Sequence, residues 1–286
     1  MKGIITPTVT PINGGRIDEN GISELMAFLK RIGVSAAFPM GSTGLFSLFS
    51  TEEHIRTIEL TIKHASGLKV LAGSGRNDID ETLRVARSAV DSGADAVVIV
   101  TPFYIRMSQE SISNYYSRIA SSVDSAIIAY NIPQFTGNQI SADTLSSLMK
   151  EHSNIIGVKD SSGDLRSTQR YISELPSGSF IYQGQDDLLL PSIALGVSGG
   201  VCGTTNFNDL AVRLWNSNSQ EESRQIQLRL SAMMRALSLS DFPKAYYYLF
   251  ERLVMKNKNP RNYMPAPIND LSDQEERALN SWVSIQ

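Results

Sequence analysis

One lysine of this chain lies where a side-chain amine could do chemistry. Lys159 ends the apolar run Ile155-Ile156-Gly157-Val158, which is typical of a buried strand rather than of a surface segment. Loss of hydration disfavours the charged form of a lysine, and an uncharged amine is a nucleophile that can attack a ketone and form a Schiff base. The competing interpretation is an ion pair of Lys159 with Asp160 or with another carboxylate. Neighbouring residues of a strand point to opposite faces, which disfavours the pair with Asp160.

Hydroxyl groups follow two other apolar runs and could move protons for such an amine. Tyr130 ends the run that precedes the Lys159 run, so its phenol is expected beside the amine as a proton carrier. The alternative is a tyrosine at the edge of the core with a satisfied hydroxyl. Gly41-Ser42-Thr43-Gly44 offers two hydroxyls, one of which could hydrogen-bond the tyrosine, and backbone amides that could hold a carboxylate. The same tetrapeptide could also be an ordinary turn.

The elements that must position these groups repeat along the chain. Short β-branched runs alternate about eight times with amphipathic stretches, at a spacing of roughly 30 residues, the length of one βα unit. The candidate strands are 4–6, 36–40, 69–72, 96–100, 126–130, 155–159, 180–182 and 200–202. They predict an α/β fold, a (β/α)8 TIM barrel over residues 1–205, with residues 206–286 as a C-terminal helical extension of the same domain on the barrel flank. A doubly wound open sheet is the alternative, but no Gly-x-Gly-x-x-Gly turn follows an early strand.

Functional groups of such a barrel lie where the strands end and eight loops converge. Besides the residues above, this rule selects Tyr104 and Arg106 after the fourth strand, Gly184 and Asp186 after the seventh, and Thr204 after the eighth. Arg106 could hold a phosphate, since a guanidinium binds phosphate through two hydrogen bonds, or it could be a solvated surface residue. One cavity is expected to collect a lysine, two tyrosines and several hydroxyls.

Composition and charge argue against several other classes of protein. The 286 residues carry a formal net charge of −3, which is not typical of a nucleic-acid binder. The single cysteine, Cys202, cannot form an internal disulfide, and three scattered histidines predict no metal site. No apolar run approaches the roughly 18 residues of a membrane span, and the first residues do not resemble a signal peptide. A cytoplasmic protein without nucleic-acid or membrane partners is expected.

Taken in order, the motifs of the chain resemble those of the pyruvate-dependent class I aldolases typified by dihydrodipicolinate synthase and N-acetylneuraminate lyase. The resemblance implies a (β/α)8 barrel, no metal or organic cofactor, and a homotetramer built as a dimer of dimers. It is carried by Thr6-Pro7, Gly41-Ser42-Thr43-Gly44, Ser50 to Glu53, Thr101-Pro102-Phe103-Tyr104, Tyr130-Asn131-Ile132-Pro133, Thr136-Gly137 and Gly157-Val158-Lys159-Asp160-Ser161-Ser162.

The same resemblance implies roles for individual residues. Lys159 is the Schiff-base lysine, Tyr130 the acid/base phenol and Ser42 the relay hydroxyl. Thr43 binds the substrate carboxylate, and Tyr104 reaches the site of a neighbouring subunit.

Departures from the family pattern narrow the expected substrate. Synthases of the family carry an arginine shortly after Tyr-Asn-x-Pro, where this chain has Phe135; its loss disfavours a role in lysine biosynthesis. Leu45 replaces a glutamate of the synthases and sialic-acid lyases and is similar to archaeal-type 2-keto-3-deoxygluconate aldolases. The stretches 104–108 and 184–186 also resemble that subgroup, in which the latter region contacts sugar hydroxyls.

The function expected from these features is reversible aldol cleavage of a small 2-keto acid. The substrate would be 2-keto-3-deoxygluconate or a related 2-keto-3-deoxy sugar acid, and the products pyruvate and glyceraldehyde. The alternative is another pyruvate lyase or synthase, or a keto-deoxy sugar-acid dehydratase that uses the same lysine. A noncatalytic ligand-binding relative of the same fold is a third interpretation.

Overall fold

The computed structural model describes residues 1–257, 264–265 and 267–285. Eight parallel strands follow one another around a closed barrel, and the eighth pairs with the first, with Gly199 opposite Gly3. They are β1 (Gly3–Pro7), β2 (Ala36–Phe38), β3 (Lys69–Gly73), β4 (Ala96–Val100), β5 (Ile127–Asn131), β6 (Ile155–Asp160), β7 (Phe180–Gln183) and β8 (Gly199–Val201). A short antiparallel hairpin, Ile12–Asn13 with Arg16–Ile17, precedes the first helix. The predicted (β/α)8 barrel is confirmed.

Helices follow every strand and surround the barrel. Those between the strands contact their neighbours around the ring. The helices are α1 (Glu19–Ile32), α2 (Thr51–His64), α3 (Ile79–Asp91), α4 (Gln109–Ala120), α5 (Pro133–Thr136), α6 (Ala142–Glu151), α7 (Leu165–Glu174), α8 (Leu189–Leu195), α9 (Leu210–Asn216), α10 (Gln220–Leu237), α11 (Lys244–Leu253) and α12 (Asp273–Ile285). Among these described helices, none has the length and apolar character needed to cross a membrane.

Side-chain caps set the points at which several helices begin. Ser50 accepts from the Glu53 amide while the Glu53 carboxylate accepts from the Ser50 amide, so α2 starts with a capping box. Asp78 in the same way accepts from two amides of the first turn of α3. Such caps satisfy amides that the first helical turn leaves without a partner. Each helix can therefore start soon after the loop that leaves the end of a strand.

Apolar side chains fill the inside of the barrel. Ile5, Phe38, Val98, Ile128 and Tyr182 belong to one buried cluster within the ring of strands. A larger cluster lies between the strands and the helices. Because the inside is packed, an open cavity can form only at an end of the barrel, and the end at which the strands terminate carries the long loops.

The second strand is shorter than expected. The prediction ran to Met40, but β2 ends at Phe38. Pro39 has no amide hydrogen to give to a neighbouring strand, and Met40 has a φ of 55°, which does not belong to an extended strand. The change of direction places the following Gly41 loop over the end of the barrel.

The C-terminal extension is present as helices, as expected, and its contacts are not limited to the outer helices of the barrel. Helix α10 contacts α9 and also the short helical turn Asp186–Leu188 that follows β7. Helix α11 contacts the turn Gly203–Asn206 that follows β8. The extension therefore reaches the loops at the end of the barrel where the strands terminate.

Gly157 should be required by the strand that carries Lys159. A Cβ atom at this position would overlap the carbonyl oxygen of Phe180 in the neighbouring strand. We expect Gly157→Ala to lower the free energy of unfolding by about 2 kcal/mol or more, as overpacking does, measured by urea denaturation. Ser177→Ala, at an exposed loop position, is the control and should change stability by less than about 0.5 kcal/mol. Equal midpoints for the two variants would contradict this account.

Candidate active site

A cavity of about 190 Å³ opens at the end of the barrel where the strands terminate. Six of the predicted site residues line it, and they come from strand ends and from the loops after β2 and β7. These six are Ser42, Thr43, Tyr130, Lys159, Gly184 and Asp186. Thr204, Tyr104 and Arg106 are not among the residues that line this cavity.

Lys159 is buried against aromatic rings. Its side chain is only 4% exposed, and it stands opposite Tyr130 in the pairing of β6 with β5. Its Nζ is 3.8 Å from the centroid of the Tyr130 ring and 4.8 Å from that of Phe38. Within the described residues, no carboxylate forms an ion pair with it. The aromatic faces, rather than a counter-ion, would stabilise a positive charge on this nitrogen.

The neighbouring carboxylate is held on the other face of the strand. Asp160 Oδ1 accepts from the Asn131 amide group at 2.9 Å, and Oδ2 accepts from the Thr168 hydroxyl at 2.9 Å. The Ser162 amide also donates to Asp160. The alternation of side chains along β6 therefore excludes the Lys159–Asp160 ion pair considered from the sequence.

The phenol beside Lys159 is linked to a hydroxyl of the Gly41 loop. Tyr130 is buried, and its hydroxyl lies 3.2 Å from Ser42 Oγ, so that either oxygen can donate. An edge-to-face contact with Phe38 holds the ring. Of the two hydroxyls considered for this bond, Ser42 makes it. Protons can pass between the phenol and Ser42, which lines the cavity.

The turn that carries Ser42 presents unused backbone amides to the cavity. The Leu45 amide donates to the Ser42 carbonyl, which closes the turn. The amides of Ser42 and Thr43 donate to no acceptor within the described residues. A Cβ on Gly44 would lie 3.1 Å from the Met40 nitrogen, so the turn can be this tight because Gly44 has no side chain. Successive free amides of this kind form a binding site for an anion.

The loop that carries Ser42 is stabilised by hydrogen bonds from an arginine that the sequence analysis did not select. Arg76, in the loop after β3, donates from Nη1 to the carbonyl oxygens of Phe46 and Phe49, at 3.2 and 3.1 Å. The same nitrogen is 3.5 Å from His54 Nδ1, while His54 Nε2 is 2.7 Å from the Gly73 carbonyl. Because a carbonyl only accepts, Nε2 carries the hydrogen. The rule that selects strand ends would have found Arg76 if it had been applied to the third strand.

His54 is a neutral part of this support. The pKa of His54 is lowered to about 4, mainly by burial and also by the positive charge of Arg76, while the hydrogen bond to Gly73 opposes the shift. A protonated ring would face the guanidinium of Arg76 at short range. The contacts that stabilise the Ser42 loop therefore require an uncharged imidazole at His54.

Asp186 is the acidic group of the cavity and is fixed by the loop after β8. Its carboxylate accepts from the Gly203 amide at 3.1 Å, from the Thr204 amide at 3.0 Å and from the Thr204 hydroxyl at 2.6 Å. Burial raises the pKa of Asp186, and these hydrogen bonds oppose the rise. Thr204, predicted to bind substrate, thus uses its hydroxyl to position Asp186.

Two predicted residues lie outside the cavity of this chain. Tyr104 is 90% exposed and has a φ of 77°, a conformation that bulky side chains rarely adopt. Arg106 is also exposed. The single chain therefore does not bring these two side chains to Lys159.

Ser161 is a site residue that the sequence analysis missed. It lines the cavity, and its buried hydroxyl has no hydrogen-bond partner in the described structure. A Cβ on Gly184 would overlap this hydroxyl, so Gly184 leaves it room. Gln134 and Gln185 both donate to the Ser161 carbonyl. The signal was available, because a residue two positions after Lys159 points to the same face of the strand.

The apolar wall of the cavity was also missed. Phe135 from α5 lines it together with Met234, Phe242 and Tyr246 from the C-terminal extension. The rings of Phe135 and Phe242 are 5.6 Å apart. No strand end marks the three residues of the extension, so the rule used on the sequence could not select them.

The closed barrel and the cavity at the ends of its strands define an enzyme of the (β/α)8 class. The model of the dihydrodipicolinate synthetase family matches residues 1–286. The chain belongs to this family of pyruvate-dependent lyases, and the resemblance found from its motifs is confirmed.

Similar proteins include both aldolases and synthases. A 2-dehydro-3-deoxy-D-gluconate/2-dehydro-3-deoxy-phosphogluconate aldolase of Picrophilus torridus is 40% identical over 261 residues, which is 90% of this chain and 96% of that protein. A 4-hydroxy-tetrahydrodipicolinate synthase of Methanopyrus kandleri is 34% identical over 286 residues, 98% of this chain and 95% of that protein. The solved 2-keto 3-deoxygluconate aldolase from Picrophilus torridus has a TM-score of 0.89 at 39% identity, covering 95% of this chain and 98% of that one.

The buried His54 should make stability fall on mild acidification. In the unfolded chain His54 takes up a proton near its ordinary pKa of 6.5, whereas the native pKa is about 4. The unfolded state binds more protons between these values, so this contribution to stability is lost as the pH falls through that range and is constant below it. We expect a loss of about 2 kcal/mol between about pH 7 and about pH 5 from this group.

His54→Gln should remove that part of the acid sensitivity, because the glutamine amide can still donate to the Gly73 carbonyl. The measurement is the free energy of unfolding in urea at both pH values for wild type and variant. If the variant loses as much stability as the wild type on acidification, the role given to His54 is wrong.

Proposed function

We propose that this chain is a class I aldolase that reversibly cleaves 2-keto-3-deoxygluconate, or a related 2-keto-3-deoxy sugar acid, to pyruvate and glyceraldehyde. The observation that carries the proposal is the position of Lys159, which is buried, has no counter-ion among the described residues and lies 3.8 Å from the ring centroid of Tyr130. The similarity to the Picrophilus torridus aldolase supports the choice of substrate.

Lys159 attacks the C2 ketone of the substrate, Tyr130 gives its phenol proton to the departing hydroxyl, and loss of water leaves a protonated imine beside the phenolate. The imine withdraws electrons as the bond between C3 and C4 breaks, and Tyr130 takes the proton of the C4 hydroxyl. Glyceraldehyde leaves, and the enamine that remains is protonated at C3. Hydrolysis of the imine then releases pyruvate and restores the amine. Ser42, at 3.2 Å from the phenol oxygen, relays protons to and from Tyr130.

The remaining groups of the cavity hold the two ends of the substrate. The free amides of Ser42 and Thr43, with the Thr43 hydroxyl, bind the carboxylate next to the ketone. Asp186 and the backbone at Gly184 bind hydroxyls of the sugar chain, since both line the opposite part of the same cavity. Thr204 supports this half of the site by fixing the Asp186 carboxylate.

Tyr104 and Arg106 contribute to the active site of a neighbouring subunit when the chains assemble. The exposure of Tyr104 in the single chain fits a tyrosine that reaches a neighbouring subunit's site in a homotetramer built as a dimer of dimers. In the same assembly Arg106 lies at a cavity mouth, where its guanidinium would favour a phosphorylated substrate.

A synthase function is disfavoured by Phe135. This ring lines the cavity at the place where the synthases resembled by this chain carry an arginine. An exposed aromatic ring cannot replace the charge and donors with which a guanidinium binds a second carboxylate.

Trapping with borohydride tests the Schiff base directly. With pyruvate and borohydride we expect a stable adduct on the peptide that contains Lys159, identified by mass spectrometry. Lys159→Met should form no adduct and lose at least about a thousandfold in cleavage rate, since the covalent step is removed. Lys150→Met, an exposed lysine near the end of α6, is the matched control and should keep both properties. An adduct on any other lysine would overturn the mechanism.

A substrate panel tests the choice of sugar acid. Pyruvate release is measured with 2-keto-3-deoxygluconate, its phosphorylated form, the galactose-derived epimer and sialic acid. We expect kcat/KM for the best 2-keto-3-deoxy sugar acid to exceed that for sialic acid by at least roughly a hundredfold, about 2.7 kcal/mol of transition-state binding. Preference for sialic acid, or faster condensation of pyruvate with an amino-acid semialdehyde, would refute the proposed substrate.

A further inference from the structure

Two aromatic rings stand exposed at the mouth of the cavity. Phe135 is 54% exposed and Phe242 is 43% exposed, and their ring centroids are 5.6 Å apart. Both side chains line the cavity that contains Lys159. Burial of exposed apolar surface by a ligand is favourable, because it removes that surface from water. The pair therefore offers a binding surface for something apolar within reach of the reacting carbon atoms.

The same pair also forms part of an adjoining groove. This groove has a volume of about 220 Å³ and shares Ser42, Ile132, Phe135 and Phe242 with the Lys159 cavity. Its other walls are mostly apolar and consist of Leu45, Phe46, Ser47, Val100, Phe103 and Thr136. No charged side chain of the described residues lines it. The site is thus continuous with a space suited to an uncharged, apolar group.

We infer that the aldehyde end of the substrate can carry an aryl or alkyl tail, bound against Phe135 and Phe242 and extending into the groove. This inference rests on the proposed function, because Lys159 must still form the Schiff base. It adds an activity, the cleavage of 4-hydroxy-2-oxo acids with an apolar substituent on C4, alongside the cleavage of sugar acids. The carboxylate and the ketone bind as they do in a sugar acid, and only the tail lies differently.

The reaction needs no further reagent than water. For 4-hydroxy-2-oxo-4-phenylbutanoate, Lys159 forms the imine at C2 with loss of one water molecule. The C3–C4 bond breaks, its electron pair forms the enamine, and Tyr130 takes the C4 hydroxyl proton as benzaldehyde leaves. Protonation of C3 and uptake of one water molecule release pyruvate and the free amine.

The experiment compares two substrates on the same enzyme. Release of benzaldehyde from 4-hydroxy-2-oxo-4-phenylbutanoate and of pyruvate from 2-keto-3-deoxygluconate is measured with the full chain and with Phe135→Ser and Phe242→Ser. We expect the wild type to cleave the phenyl compound. In each variant the ratio of kcat/KM for the phenyl compound to kcat/KM for the sugar acid should fall at least about tenfold, because the tail loses an apolar contact.

Leu239→Ser is the matched control. Leu239 lies on the same connection between α10 and α11 and is 61% exposed, but it lines neither the cavity nor the groove. Its ratio should stay within about twofold of the wild type, since surface changes of this kind are nearly neutral. A ratio falling equally in this control would show a general effect of the connection and overturn the inference.

The other outcomes separate this inference from the proposed function. If borohydride traps pyruvate on Lys159 and the sugar acid is cleaved, but no benzaldehyde appears, the inference fails and the aldolase proposal stands. If no adduct forms, the proposed function itself fails. If light scattering shows that the two phenylalanine variants lose a subunit contact, and both activities fall in parallel, the rings cover a second copy of the chain and the inference is wrong.

Discussion

The site depends on keeping one amine out of water without giving it a carboxylate. Taking a charged group out of water costs several kcal/mol unless it is paired, so Lys159 would normally recruit an acidic neighbour or remain exposed. Here the strand turns Asp160 to the other face, where Asn131 and Thr168 use both of its oxygens. Aromatic faces surround the nitrogen instead. Under the proposed function, the positive iminium formed from this amine would be stabilised by the same rings.

Some polar groups of the candidate site have no partner among the described residues and are available to a ligand. Buried donors and acceptors in a folded chain are almost always paired, and this holds for Asp186, whose carboxylate accepts three hydrogen bonds. Within the part of the chain that the structure describes, the amides of Ser42 and Thr43 and the hydroxyl of Ser161 have no partner, and all three residues line one cavity. The free amides persist because Arg76 holds the loop through the carbonyl oxygens of Phe46 and Phe49. The loop is thus held by hydrogen bonds to its carbonyl oxygens, and its backbone amides stay available to a ligand.

The barrel could be predicted from the sequence because strands buried on both faces produce unbroken apolar runs. All eight runs became strands, with small errors at their ends such as Met40, where a local backbone conformation outweighs hydrophobicity. Lys159, Tyr130 and Ser42 could be selected because strand order alone brings their ends together. Phe242 could not be selected, since helical periodicity identifies the buried face of α10 and α11 but not the direction in which their connection turns. Arg76 follows the end of β3 and could have been selected by the same rule as Lys159, although its hydrogen bonds support a loop.

Substrate choice in this architecture is separate from the bond-breaking chemistry. The strand ends that carry Lys159 and Tyr130 are fixed by the closed pairing of the barrel, and a shift of one residue would turn their side chains away. Phe135 and Phe242, in contrast, come from a four-residue helix and from a connection between two helices, where substitutions do not disturb the strand pairing. Under the proposed function, a change at either ring would alter what the aldehyde end of a substrate contacts and would leave the imine chemistry intact. The apolar wall is therefore the part of the site that can vary without disturbing the strand pairing that holds Lys159 and Tyr130.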